Sequence, residues 1–351
     1  MYPNVEIKLD YIRSNASVVK KICDKHNVDI IAVTKAISGN KEIAKAIVES
    51  GIKKIGDSRL SNIINMQEIE AEKWLIRMPM MCEIKKVIKY VDVSLNSEWT
   101  TIVALNEAAR NENKIHKIIL MIDLGEIREG FVNIDDAIEI ANRIKTLSNI
   151  ELIGIGSNMA CLNYIRPTVS KMMELIKISK LIFKNRKCII SGGNSANFDM
   201  ILKSQLPNEI NNLRLGEAIL IGKERSSYKY IPNTYKNTFI LSAEIIEIKD
   251  KPSVPWGERG MNSYGEYSQE FKDNGVRKRA ILAIGNQDCD YKTMYPIDRD
   301  IKIIGSSSDH LIIDIMECER KYIVGDVVKF ELGYFSIMRC FTSKFVKKII
   351  I

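Results

Sequence analysis

A lysine stands where the apolar run of "IIAVTKAISGNKE" (residues 30–42) gives out, and a helix start follows at once. Most lysines at strand ends are solvated, but a desolvated amine is a nucleophile that condenses with carbonyls. Further on, "SGGNSAN" (191–197) sets two glycines before Asn194 and Ser195. Such a backbone can approach an anion closely while an amide and a hydroxyl bond to it, although a tight turn has the same look. "RLGEA" (214–218) adds Gly216 with its backbone amides. A phosphate cradle and a lone lysine together point to pyridoxal phosphate, anchored by the cradle and bonded through Lys35. A sugar phosphate enzyme with a lysine imine is the alternative from the same residues.

These groups need a scaffold that brings them to one place. Short apolar runs at 29–34, 53–56, 73–78, 91–95, 117–123, 151–157, 187–191 and 212–222 read as parallel strands covered on both faces. Amphipathic stretches lie between them. "NKEIAKAIVESG" has Asn40 as N-cap, apolar Ile43, Ala46 and Ile47 on one face, and Gly51 at its stop. Eight strands, each followed by helix or loop, predict a closed (β/α)8 barrel over residues 11–235. Residues 236–351 are rich in short strands with no long helical period, which predicts a second, all-β domain. The opening "NVEIKLD", within residues 1–10, is strand-like and is expected to pair with that domain.

In such a barrel the carboxyl ends of the strands face the active site, and a phosphate is commonly held by the loops after strands seven and eight. Lys35 ends the first strand; Asp57, Ser58 and Arg59 follow the second. Arg77, Asn96, Arg128 and Asn158 follow the next four, before "SGGNSAN" and "RLGEA".

Composition narrows the field. The 351 residues are 46% apolar and 27% charged, an ordinary globular balance. The net charge of +8 is spread along the chain without a Lys/Arg tract, so no nucleic-acid partner is expected. Seven cysteines without a CxxC pair argue against a disulfide framework and a structural metal, and fit a reducing cytoplasm. Neither a signal peptide nor a membrane span is expected. Cys23 and His26 are too few to hold a metal; His116 reads as a surface residue ahead of a strand, and His310 as an outside acid/base candidate. Trp74, Trp99 and Trp256 read as core or interface residues.

With these motifs in hand, the sequence resembles the alanine racemase family of fold type III pyridoxal phosphate enzymes, nearest its alanine/ornithine racemase branch. "IIAVTKA" resembles the family's lysine motif, which implies Lys35 as cofactor lysine. "GEIREGF" implies Arg128 at the cofactor's phenolic oxygen or the substrate carboxylate. Asn158 in "GIGSNMA" stands where the family has a histidine against the ring. "GGNSA" implies Ser195 at the phosphate, and "RLGEA" implies Arg214 at the pyridine nitrogen with the Gly216 and Glu217 amides at the phosphate. "NSYGE" and "IGSSSDHLIID" resemble further family segments, and Tyr334 in "ELGYFSIM" resembles a late tyrosine that reaches the phosphate.

An arginine at the ring nitrogen has a consequence of its own. It is always charged and cannot accept a proton, so the ring stays a weak electron sink, which suits α-proton removal and return better than decarboxylation. Racemisation needs acid/base groups on both faces of the reacting carbon, each typically worth about 10² to 10⁴ in rate. Lys35 is expected to serve one face. The resemblance implies a tyrosine from the partner of a homodimer for the other, but "AIGNQDCDY" has Asn286 there. Asp288, Cys289 and Tyr291 are the candidates; turn-forming is the plainer role for Asp288 and packing for Cys289. An amino acid substrate is implied, a diamino acid such as ornithine preferred over lysine or alanine, with Asp288, Asp290 or Asp309 to receive a distal ammonium. A basic amino acid decarboxylase with "CD" at Cys289 and Asp290, and a non-catalytic pyridoxal phosphate carrier, are the alternatives.

Overall fold

The computed structural model describes residues 2–351 apart from 185, 262–264, 266 and 268–270. The "NSYGE" segment therefore lies largely outside the described residues. The chain forms two compact units, residues 8–238 and residues 1–7 with 239–351.

In chain order the first elements are β1 (Asn4–Ile7), α1 (Leu9–Lys25), β2 (Asp29–Val33), α2 (Lys41–Glu49), β3 (Lys54–Asp57), α3 (Leu60–Asn65), β4 (Glu72–Leu75) and α4 (Ile84–Tyr90). There follow β5 (Val93–Asn96), α5 (Trp99–Asn111), β6 (His116–Met121), α6 (Ile134–Ile144), β7 (Ile150–Gly156) and α7 (Val169–Phe183). The first unit ends with β8 (Ile189–Ser191), α8 (Phe198–Leu202), β9 (Asn212–Leu215) and α9 (Glu217–Leu220).

Strands β2 to β9 close into a parallel barrel, each pairing with the next and β9 returning to β2 through Ile31 opposite Arg214. Each is short and mostly buried, as expected of a sheet with both faces covered. Ile31, Trp74, Val93, Leu95, Ile119 and Met121 form a buried cluster. The helices start where the residue types predict: the Asn40 side chain accepts from the Ile43 amide at 3.0 Å, and Thr168 caps α7 through the Lys171 amide at 3.3 Å. Trp74 is core as expected, whereas Trp256 is exposed.

Two expectations are corrected here. The run at 212–222 is strand only to Leu215; beyond Gly216 it turns into α9, because the sheet ladder ends at the mouth and Ile219 and Leu220 bond back to the Gly216 carbonyl instead. His116 is buried rather than on the surface: it opens β6, with Nε2 2.8 Å from Ser94 Oγ. Burial lowers its imidazole from 6.5 to about 4. The unfolded chain thus takes up this proton first, so stability should fall as pH drops from 6.5 towards 4, by on the order of 3 kcal/mol. Denaturant titrations at several pH values should show this slope, and His116→Gln should flatten it; an unchanged slope in the variant would refute the assignment.

The second unit adds β10 (Phe239–Pro252), β11 (Val276–Leu282), β12 (Met294–Pro296), β13 (Lys302–Ser306), β14 (Leu311–Asp314), β15 (Val327–Leu332), α10 (Tyr334–Thr342) and β16 (Lys347–Ile350). Its strands run β12-β15-β10-β11-β14-β13 in one sheet. β1 pairs antiparallel with β10 and parallel with β16. This unit is not purely β: "ELGYFSIM" leaves the strand at Leu332 and becomes α10, so Tyr334 opens a helix whose Ile337 and Cys340 are buried.

Candidate active site

At the carboxyl end of β2 the chain turns into a single 3₁₀ turn, Lys35–Ile37, rather than continuing as strand. Lys35 is half-buried. Burial lowers its amine from the usual lysine range, the charges of Arg128 and Arg225 act in the same direction, and Cys161 and Asp57 oppose them. Asp57, at the end of β3, is buried and tied down by Thr34 Oγ1 at 2.7 Å, the Arg59 amide at 2.9 Å and Asn62 Nδ2 at 3.1 Å. Burial pushes its carboxyl up in spite of those bonds.

Arg214, in β9, is buried with Nη2 donating to the Ser157 carbonyl at 2.5 Å and Nη1 to Ser191 Oγ. Those two acceptors, on neighbouring strand ends, hold the fork in one plane. Burial brings its guanidinium down to about 10, which leaves it charged at neutral pH.

The loop after β8 is built by its own side chains. Asn194 caps the turn Ser195–Asn197, accepting from the Ala196 amide at 2.8 Å, and Asn197 Nδ2 donates to the Gly192 carbonyl at 3.0 Å. Gly193 has φ +143° and an added Cβ would lie 2.2 Å from Asn197 Oδ1, so only glycine fits there. Ser195 Oγ accepts from the Ala218 amide at 3.2 Å, joining this loop to the start of α9. Gly216 and Glu217 are buried beside it, and burial pushes the Glu217 carboxyl up to about 7 against the pull of Arg225 and Lys223.

The loop after β6 carries Arg128. Asp123 folds it by accepting from the amides of Gly125 at 2.8 Å, Ile127 at 3.2 Å and Arg128 at 2.9 Å. Arg128 makes a two-pronged pair with Glu129, which also accepts from Asn158 Nδ2 at 3.3 Å. Asn158 Oδ1 in turn accepts from Asn194 Nδ2 at 2.8 Å, so the loops after β6, β7 and β8 share one network. Cys161 joins it, with Asn194 Nδ2 3.4 Å from its sulfur.

Lys35, Arg128, Asn158, Ser195, Arg214, Gly216 and Glu217 thus lie at the carboxyl ends of the barrel strands or in the segments that follow them, with the hydrogen bonds above linking Asn158 to Glu129 and Asn194, and Ser195 to Ala218. Glu129, Cys161, Arg225 and Ser191 escape the sequence reading. Glu129 and Cys161 lie in strand-end loops, Ser191 closes β8 and Arg225 follows α9, positions that many inert polar residues share.

The remaining candidates belong to the second unit. Asp288 is largely buried and accepts from Ser343 Oγ at 2.5 Å. Cys289 is fully buried with its thiol on the Gly285 carbonyl at 3.3 Å; burial pushes it up to about 12, which keeps it protonated and counts against it as a base. Asn286 donates to the Ser306 carbonyl at 3.0 Å. Asp290 caps the turn Tyr291–Thr293. Asp309 is exposed and paired with His310 at 2.9 Å, which holds its carboxyl below the usual range. Tyr334 is buried at the start of α10. Among the described residues no group of three or more metal-ligating side chains occurs, and no helix is long and apolar enough to cross a membrane.

Comparison with known proteins places this architecture. The model of the alanine racemase N-terminal domain matches residues 7–223. The ornithine racemase of Acetoanaerobium sticklandii is 39% identical over 351 residues, covering 99% of each chain. The lysine racemase of Thermotoga maritima is 35% identical over 354 residues, covering 99% of this chain and 98% of its own. Among solved structures, the alanine racemase of Bartonella henselae with covalently bound pyridoxal phosphate superposes with a TM-score of 0.74 over all of both chains, at 17% identity, and so speaks to the fold. With a family domain over more than half its length and relatives alike from end to end, the chain belongs to the alanine racemase family.

Proposed function

We propose that this chain is a pyridoxal phosphate-dependent amino acid racemase that interconverts the enantiomers of ornithine. The observation that carries the reading is the half-buried amine of Lys35, lowered by burial and by neighbouring guanidinium charge, on the same barrel face as a Gly-Ser loop and a buried arginine. The full-length likeness to an ornithine racemase supports the substrate.

The residues present suit the cofactor. Ser157 Oγ and Asn96 Oδ1, at the ends of β7 and β5, are buried polar atoms without a hydrogen-bond partner, a cost that a polar ligand would relieve. The loop at Gly193 admits no side chain, and Lys35, Arg128, Arg214 and Arg225 give the barrel mouth the positive charge that suits an anionic ligand. When bound, pyridoxal phosphate supplies an aldehyde that bonds amines and a ring that takes up the charge left by α-proton loss.

The chain's part is to hold, orient and move protons. Ser195 and the Gly216 and Glu217 amides would hold the phosphate, a part that the family resemblance also gives to a late tyrosine such as Tyr334. Arg214 would face the ring nitrogen and, keeping its own charge, would give that nitrogen no carboxylate to share a proton with. Asn158 would lie against the ring, and Arg128 would take the phenolic oxygen or the substrate carboxylate. Lys35 Nζ would take the α-proton of one enantiomer on its face while the group on the opposite face gives one up, and in the reverse direction Lys35 Nζ gives the proton and the opposite group takes it. Asp288 of a second copy serves the other face in a homodimer, while the protonated Cys289 packs. Seven free cysteines fit a reducing cytoplasm.

Incubating purified protein with single L-amino acids in D2O tests this. L-ornithine should exchange its α-hydrogen and yield D-ornithine at matching rates. Lysine is the second reading, because of the 35% identical relative. Inversion of lysine or alanine with ornithine inert would reject the substrate, exchange without inversion would reject Asp288, and release of CO2 would favour a decarboxylase.

A further inference from the structure

One buried carboxylate in the barrel unit has no place in the assignments above. Glu126 lies in the loop after β6, two residues before Arg128, and is 1% exposed. Its carboxylate does not bond within its own loop. It reaches across to the loop after β7 and accepts from four consecutive backbone amides: Ala160 at 3.0 Å, Cys161 at 2.7 Å, Leu162, and Asn163 at 3.0 Å. The contact is reciprocated, since Asn163 Nδ2 donates to the Glu126 carbonyl at 2.6 Å. Those amides hold the carboxylate well below its usual range despite its burial.

The two loops so joined are ones the chain would not hold unaided. Ile127 has φ +51°, Ala160 φ +56° and Tyr164 φ +60°, values that a side chain disfavours and that are most costly at a β-branched residue such as Ile127. Met159 is buried but Leu162 and Tyr164 are exposed, so the outer part of the β7 loop has little apolar burial to fix it. Four charge-assisted bonds to one carboxylate supply what packing does not. What they fix is the spacing between Arg128 with Glu129 on one side and Asn158 with Cys161 on the other. Asn158 meets Glu129 at 3.3 Å, the upper range for such a bond.

The geometry points to Glu126 as a positioning residue, a latch whose carboxylate sets the β7 loop against the β6 loop and thereby places Asn158 and Arg128 for the proton transfers of the racemase. The inference rests on the function proposed above, and neither substrate nor cofactor touches Glu126 in it. Glu126→Gln keeps the length but removes the charge, and turns an NH2 group towards amides that need an acceptor. Glu126→Asp keeps the charge but, one methylene shorter, cannot reach all four amides.

The test uses the full-length holoenzyme and both variants. Hydrogen exchange at the amides of residues 160–163 should quicken at least about tenfold in Glu126→Gln while the barrel strands keep their protection. The visible absorption band of bound pyridoxal phosphate should shift, because Asn158 and Arg128 move relative to it. The turnover number should fall by on the order of 10²-fold, as a misplacement of about 1 Å typically costs. Glu126→Asp should recover part of the band position and part of the rate. Faster exchange with the absorption band and turnover of the parent would reduce Glu126 to a structural role and overturn the proposal, as would unchanged exchange. If Glu126→Gln fails to fold, Glu126→Asp decides on the same three measurements. A parent that binds pyridoxal phosphate but racemises nothing overturns the function alone, and the exchange and absorption measurements still decide the latch.

Discussion

Replacing Lys35 with alanine is expected to lower racemisation by about 10⁴-fold or more, since one side chain is both the covalent anchor and one of two bases. Arginine at 35 should do no better, because its charge is permanent and it can neither bond the aldehyde nor accept a proton. Two measurements make the case independent of turnover. The parent should absorb near the edge of the visible with pyridoxal phosphate and carry a borohydride-fixed adduct on Lys35, and the alanine variant should show neither. A variant that still takes the label elsewhere, or still racemises, would remove the foundation of the function proposed. The environment also gives a sign in pH. Lys35 is lowered in the folded chain, so the unfolded chain binds more protons between that lowered value and 10.5. Stability of the cofactor-free protein should therefore rise with pH through that window, and Lys35→Met should abolish the rise.

The second large effect is expected at Arg214. Arg214→Glu should reduce racemisation by about 10²- to 10³-fold, the scale on which one preorganised electrostatic group is typically worth. It should also open transamination, seen as up to one equivalent of keto acid per subunit, the amino group of ornithine passing to the cofactor. The buried guanidinium donates to the Ser157 carbonyl and Ser191 Oγ, and a carboxylate there would face acceptors, gain a proton and share it with the ring nitrogen. Arg214→Lys separates charge from geometry: it keeps the former but cannot span both acceptors, so it should lose rate without gaining keto acid. Chromatography of D-ornithine and keto acid over time reads both quantities. Parent-like racemisation by the glutamate variant would show that the ring nitrogen's protonation does not govern this reaction.

How much of this was legible in the chain depends on the range of each interaction. The first seven apolar runs, the start of the eighth, the Asn40 cap and the strand at 4–7 are local patterns, and strands and cap appear in the structure at those places. Lys35, Ser195 and Arg214 could be singled out because each sits in a short motif that needs its residue type at that spacing. Local pattern misled at Gly216 and at Tyr334. There an apolar run passes from strand to helix, and composition alone does not mark where a sheet ladder loses its partner. His116 failed for a related reason: neither its burial nor its partner Ser94, 22 residues away on the neighbouring strand, is a local pattern.

By itself the sequence determined the alternation of strand and helix, the barrel class and the strand-end residues that meet at its mouth, because periodicity and motif spacing act within a few residues. Tertiary structure alone decided which of those polar groups are bonded to one another. The Arg128–Glu129–Asn158–Asn194 chain, the Glu126 latch and the sequestered Cys289 thiol depend on loops up to 37 residues apart being held within hydrogen-bond reach, and on burial that no single segment encodes.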